Sequence, residues 1–291
     1  MRSPVPVTRL AAALRADNPG PMTLDGTRSY VLRAPGATGC VVVDPGPDDA
    51  DHLGALAVAG RVVLVLVTHR HADHTAGSAR LHALTGAPVR GADPAHCHGG
   101  GAPLGGGETL DVAGVRLEVL ATPGHTADSV CVVVPDDGPL DGPFDASLGG
   151  GPTGSVLTGD TVLGVGTTVL AEPDGSLGDY LASLDALEAA VGRLGDGPVV
   201  GLPGHGPVVD DLGARVGAYR AHRLDRLAQV RAALDDLGVP ADAAGAADLV
   251  VARVYADVDP SVRAAARQSV AAQLAYLRGA GMSDGSGTMG A

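Results

Sequence analysis

The run Thr68-His69-Arg70-His71-Ala72-Asp73-His74 sets three imidazoles and a carboxylate within six residues, directly behind the apolar stretch 62–67. Buried side by side, each of these groups would need its own hydrogen-bond partner, so the run is not core filler. The apolar stretch reads as a buried strand. A ligand-rich turn at the C-terminal end of a strand is where an open site for a borderline divalent ion such as zinc can form. The fold therefore has to bring further ligands to that strand end.

Three later turns supply them. His125 lies in Thr122-Pro123-Gly124-His125-Thr126 after the alternating stretch 115–120. Asp160 closes Ser155-Val156-Leu157-Thr158-Gly159-Asp160, and His205 lies in Pro203-Gly204-His205-Gly206-Pro207 after Val199-Val200. A glycine beside each ligand allows a sharp turn that aims the side chain into a shared pocket. A single such histidine reads as a surface residue. With the first run, however, they make seven candidate ligands, enough for two metals.

The order HxHxDH followed by Gly-His, Gly-Asp and Gly-His resembles the metallo-β-lactamase superfamily. Asn18-Pro19-Gly20, Gly26-Thr27-Arg28-Ser29-Tyr30, Asp160-Thr161-Val162-Leu163-Gly164, Gly166-Thr167-Thr168 and Tyr219-Arg220-Ala221-His222-Arg223 resemble the branch typified by beta-lactamase-like protein 2. Two places depart from that branch: Arg28-Ser29 stands where it reads Asn-Thr, and the glycine-rich stretch 136–154 is longer. The resemblance implies an α/β fold, the αββα sandwich, with a small C-terminal helical domain of winged-helix-like character. It implies that His69, His71 and His125 hold one zinc ion, that Asp73, His74 and His205 hold a second, and that Asp160 bridges both. Two cations flanking one carboxylate leave room for a bridging water, whose pKa falls to roughly 7 on zinc. The metal-bridging hydroxide would be the nucleophile and Asp73 the catalytic residue that orients it.

Composition is compatible with that architecture. The 291 residues can hold one large domain and a small one; with 2% aromatics and no Trp, the core must be built from Val, Leu and Ala. A formal charge of −13 argues for solubility and against a broad nucleic-acid surface. The apolar run 10–14 is too short for a secretory signal and far too short to span a membrane, so a cytoplasmic enzyme is expected. Three cysteines without a CxxC pair indicate no disulfide framework, and Cys40 and Cys131 read as core. His96-Cys97-His98 invites a metal reading, but its loop ends in three glycines and is expected to be mobile. No GxGxxG follows a strand and no phosphate-cradling GxxxxGK[ST] occurs.

Strand-like and helical stretches alternate along both halves, with helices expected over 48–59, 73–84 and 177–194. Two sheets packed face to face would bring ligand turns from both halves to one edge. The expected division is a catalytic domain over 1–208 and a helical appendage with a flexible tail over 209–291. Its helices are expected over 213–237, 244–255 and 259–278, the last capped by Asp259 with Pro260 at its first position. Arg215, Arg220, Arg223, Arg226 and Arg231 make the first of these locally basic. The plainer reading is a solvated face; the alternative is a phosphate contact to RNA or to a phosphopantetheine arm. Residues 241–280 carry four Arg and four Asp, which is no footprint for duplex DNA and favours a packing or lid role.

The expected activity is dinuclear zinc-dependent hydrolysis of an acyl ester or thioester, on a small-molecule or carrier-bound substrate. A thioester demands less leaving-group protonation than an amide, and the ligand motifs contain no additional general acid. Single-strand endoribonuclease or other phosphodiester chemistry is the alternative, since two metals suit in-line phosphoryl transfer equally well. A metal-stabilised nucleic-acid-binding module is the third reading, disfavoured by the complete ligand set.

Overall fold

One sheet holds its strands side by side in chain order: β1 (Val5–Pro6), β2 (Ala11–Arg15), β3 (Arg28–Leu32), β4 (Gly39–Val43), β5 (Arg61–Leu66) and β6 (Val89–Arg90). The second sheet comprises β7 (Thr109–Val112), β8 (Val115–Ala121), β9 (Val130–Val134), β10 (Ser155–Gly159) and β11 (Val200–Pro203). The order holds for a computed structural model that describes residues 2–140, 154–256 and 263–284. Strands β4, β5 and β6 pair in parallel, as do β10 and β11; the other pairs are antiparallel.

Period-two alternation produces the layers. Val41 and Val43 of β4 and Val132 and Val134 of β9 face the cluster between the sheets, with Leu66, Leu117 and Leu157. Their neighbours Cys40 and Val42 face outward onto Leu53 and Leu56 of α1 (Ala50–Ala57) and Leu81 of α3 (Ser78–Thr85). On the other side Cys131 and Val133 pack beneath α4 (Leu177–Arg193), whose Tyr180, Leu184 and Leu187 are fully buried. The result is an αββα sandwich, as expected, with a core of Val, Leu and Ala.

The expected helix over 73–84 is two pieces, α2 (Ala72–Thr75) and α3. The chain bends at Gly77, whose N–H donates to Gly46 O and whose missing Cβ makes room for Leu53 at 2.6 Å. After β11, α5 (Leu212–Leu237) starts at Asp211, which caps Ala214 N at 2.9 Å. It ends on left-handed Gly238, two residues before the expected break at Pro240. Helices α6 (Ala246–Val254) and α7 (Arg263–Asp284) complete the C-terminal region, and no strand occurs there among the described residues. Asp259, Pro260 and most of the stretch 136–154 lie outside the described residues.

Leu212, Val216, Tyr219 and Leu227 of α5 and Ala272 of α7 share a core with α4 and the second sheet. A separate cluster, including Val230, Leu234, Val250, Val270 and Leu274, joins α5, α6 and α7. Among the described residues, no helix is long and apolar enough to cross a membrane.

Candidate metal centre

Strand ends converge at one edge of the sandwich. β5 delivers Thr68 to His74, the turn after β8 delivers His125, Asp160 directly follows β10, and β11 leads into His205. Cross-sheet backbone bonds fix this edge: Val130 N donates to Thr68 O at 2.8 Å, and Arg28 N to Gly204 O at 2.8 Å. Arg28 thus keeps the N-terminal strand against His205 through its main chain, while its side chain pairs with Asp25.

All seven candidate ligands fall into two adjoining groups, His69, His71, His125 and Asp160 in one and Asp73, His74 and His205 in the other. His71 Nδ1 lies 3.0 Å from both His69 Nε2 and His125 Nε2, and His74 Nε2 lies 3.3 Å from His205 Nε2. Asp160 stands between the groups: Oδ2 is 3.3 Å from His205 Nε2 and 3.7 Å from His125 Nε2, and Oδ1 is 3.6 Å from His74 Nε2. Gly204 packs so closely that a Cβ there would sit 2.5 Å from Asp160 Oδ1 and 2.6 Å from His74 Cε1. Solvent reaches the cluster at His71, which is exposed, and at Asp73, whose side chain is 27% exposed.

The far side of each imidazole explains why the near sides converge. His74 Nδ1 donates to Asp44 Oδ2 at 2.8 Å, and the same carboxylate accepts Thr68 N and Thr68 Oγ1, each at 2.8 Å. His125 Nδ1 donates to Val169 O at 2.9 Å. A histidine tied down at one nitrogen presents its other lone pair in a fixed direction, the usual arrangement behind a metal-binding imidazole. Thr27 Oγ1 donates to Asp73 Oδ2 at 2.9 Å and receives Asn18 Nδ2 at 2.9 Å. Asp44, Thr27 and the Val169 carbonyl were missed in the sequence as parts of this centre. A signal existed for Asp44, which ends the strand parallel to the one that delivers His69.

Charge distribution also fits a cation. Burial alone would raise the Asp73 carboxyl, but hydrogen bonds from His205 and His74 hold it far below the usual carboxylate range. Burial likewise opposes ionisation of Asp160, and the charge of His74 with a His205 hydrogen bond overcomes it. Burial would lower His205, yet Asp160 and Asp73 push it up to about 9. His69 is held well below its ordinary range by burial and by its neighbour His74. His71 Nδ1 lies 3.0 Å from two imidazole nitrogens and one proton can bridge only one of these contacts, and Asp160 Oδ1 is buried without a hydrogen-bond partner. A divalent cation would satisfy these lone pairs together, and a donor set of five imidazoles and two carboxylates fits borderline ions.

Two other readings change. His96-Cys97-His98 is no mobile loop: Pro94–His96 form a 3-10 turn, and His98 exchanges backbone hydrogen bonds with Val89. The arginines of α5 are largely engaged rather than forming a free basic face. Arg215 bonds Leu163 O and Gly166 O, Arg220 pairs with Asp185, Arg223 is buried, and Arg226 bonds Gln229 and lies 5.2 Å over the Tyr255 ring.

Comparison with known proteins follows the same lines. The model of the metallo-beta-lactamase superfamily matches residues 22–205. An atrochrysone carboxyl ACP thioesterase of Aspergillus chevalieri is 29% identical over 238 residues, which span 78% of this chain and 67% of the relative. A beta-lactamase-like protein 2 homolog of Caenorhabditis elegans is 28% identical over 289 residues, 91% of this chain and 84% of the relative. Among solved structures, a metallo-beta-lactamase family protein from Thermus thermophilus superposes with a TM-score of 0.68 at 23% identity, covering 93% of this chain and 94% of its own.

Proposed function

The chain belongs to the metallo-beta-lactamase superfamily, whose members include hydrolytic enzymes, and from that premise we propose that it hydrolyses acyl thioesters with two zinc ions. His69, His71 and His125 would hold one ion, Asp73, His74 and His205 the other, with Asp160 shared. Two such ions would supply a hydroxide nucleophile at neutral pH and polarise the scissile carbonyl.

The observation that carries the thioester reading is that both carboxylates at the centre are held ionised. Neither has a proton to give, so the leaving group must depart as a stable anion. A thiolate, with a pKa of roughly 8.5, meets that condition, whereas an amide nitrogen must be protonated. Asp73 receives Thr27 at Oδ2 and so keeps Oδ1 to accept a hydrogen bond from the attacking hydroxide and orient it. Its partial exposure beside His71 marks the side from which the substrate enters. The relative named atrochrysone carboxyl ACP thioesterase supports a carrier-bound acyl group as the substrate class. Residues 1–208 would carry the chemistry, and the winged-helix-like region 209–291 would cover and brace it.

The test is a parallel assay of the zinc-loaded chain on an acyl carrier thioester, a lactone and single-stranded RNA. Thioester turnover should exceed the other two, with little response to salt. RNA cleavage that leads the set and falls steeply with salt would replace this reading by the phosphodiester one.

A further inference from the structure

We infer that Arg223, on α5, is a positioning residue for His125, so that the C-terminal helices take part in building the metal centre. The inference rests on the proposed role of His125 as a ligand. Residues 163–170 run without helix or strand, and the backbone bond from Gly164 N to His205 O at 2.9 Å ties down only their first turn. Three side chains spaced four apart along α5 hold the rest of this segment: Arg215 on Leu163 O and Gly166 O, Tyr219 Oη against Leu163 N at 2.9 Å, and Arg223 Nη2 on Thr168 O. Residues at that spacing share one helix face. The segment in turn receives His125, whose Nδ1 donates to Val169 O at 2.9 Å and lies 3.4 Å from Thr168 Oγ1. Arg223 and His125 therefore grip neighbouring carbonyls of one short stretch of backbone.

Arg223 occupies an expensive place. It is 4% exposed, no acidic side chain among the described residues pairs with it, and its Nε is buried without a hydrogen-bond partner. Burying a guanidinium without a carboxylate is costly, and a leucine or methionine would fill the volume more cheaply. Its surroundings lead back to the same centre. The guanidinium lies 5.1 Å over the Tyr180 ring, whose hydroxyl donates to Thr161 O, next to Asp160. Tyr180 also backs the turn that carries His125, since a Cβ on Gly124 would run into the Tyr180 backbone. What Arg223 provides is a fixed Val169 carbonyl, which keeps the proton of His125 on Nδ1 and directs the Nε2 lone pair toward His71 and Asp160.

The experiment uses the 291-residue chain labelled with nitrogen-15 at histidine, with and without zinc, unsubstituted and in four variants: Arg223→Met, Arg223→Lys, Leu227→Ala and His125→Ala. Arg223→Met should convert His125 from a single Nδ1–H form to a mixture of tautomers. It should also weaken one of the two zinc ions about 10–100-fold in chelator competition, leaving the other unchanged. Arg223→Lys, which keeps charge and donor, should recover much of both. Leu227→Ala loosens the same helix face without touching residue 168 and should leave the tautomer as it was. Unchanged tautomer and zinc affinity in Arg223→Met, or equal shifts in Leu227→Ala, would overturn the inference. A mixture of tautomers in the unsubstituted chain would overturn it without any variant, should Arg223→Met not fold. His125→Ala tests the ligand role separately: full zinc occupancy there would remove His125 from the centre whatever Arg223 does.

Discussion

His74 and His125 belong to one cluster, yet different parts of the molecule stand behind them. Behind His74 is Asp44, at the end of the strand next to β5, and the pairing of β4 with β5 puts it there. Behind His125 is a carbonyl of an irregular segment that α5 holds from outside the sandwich. The first support is as stable as the central sheet. The second is as stable as the docking of a helix. The two ligand groups should therefore differ in how they respond to damage: the Asp73, His74 and His205 group should weaken when Asp44 is changed, and the His69, His71 and His125 group when Arg223 no longer holds residue 168.

Asp160, which lies between the groups, would be shared by both ions, so its loss should erase the difference. Asp160→Ala should reduce zinc from two ions per chain to one or fewer and lower turnover about 10³-fold, as expected for several kcal/mol of lost charge stabilisation. Elemental analysis after chelator-free purification checks the first outcome and steady-state kinetics the second. Two ions and normal turnover in this variant would take Asp160 out of the centre.

Asp73 belongs to one group only and faces solvent. Asp73→Asn should cost about 10²-fold in turnover under saturating zinc, on the scale of general-base and positioning effects. The fold should survive, because the ligand turns sit at the sandwich edge rather than in its core. Near-normal turnover with an unchanged melting temperature would make Asp73 structural.

Asp44→Asn addresses the contrast directly. The amide keeps the size but loses the charge and one acceptor that serve His74 and Thr68, so zinc at the second group should bind about 10–100-fold more weakly. It is the counterpart of Arg223→Met, and the two should weaken different ions. If both weaken the same ion, the two supports are one network and the comparison fails.

The sequence made one half of this contrast easier to read than the other. Every candidate ligand follows an apolar strand and three of the seven have a glycine beside them, signals carried within a few residues, and the alternation in β4 and β9 already predicted two faces. The supports lie far off along the chain. Asp44 reaches His74 across 30 residues and Arg223 reaches Thr168 across 55, so only the packed structure shows what these side chains do. The basic stripe on α5 looked like a solvated face because a periodic pattern of arginines does not say that one of them is buried. The break at Gly77 was hidden for a similar reason, since Leu53 of another helix makes it necessary.

The smallest effect on activity should come from His52, which lies on the sandwich side of the comparison, one contact behind the turn that carries His74. Its Nε2 is 2.8 Å from Ser29 Oγ and would meet a Cβ on Gly46, whose N–H donates to His74 O at 3.2 Å. Burial pushes the imidazole down from 6.5 to about 4 against the pull of Asp49, so the folded protein keeps it neutral where the unfolded chain would protonate it. A folded value below the unfolded one stabilises fully above pH 6.5, and that stability is lost as pH falls toward 4. The loss amounts to about 3 kcal/mol once both states are protonated. His52→Gln removes the titrating group while keeping a polar partner for Ser29. Its stability should therefore fall less than that of the unsubstituted protein between pH 6.5 and 4, with thioester turnover at pH 7 unchanged. Denaturant titrations at several pH values would measure this. Parallel acid losses in the two proteins would mean that the sandwich side owes its acid sensitivity to other groups.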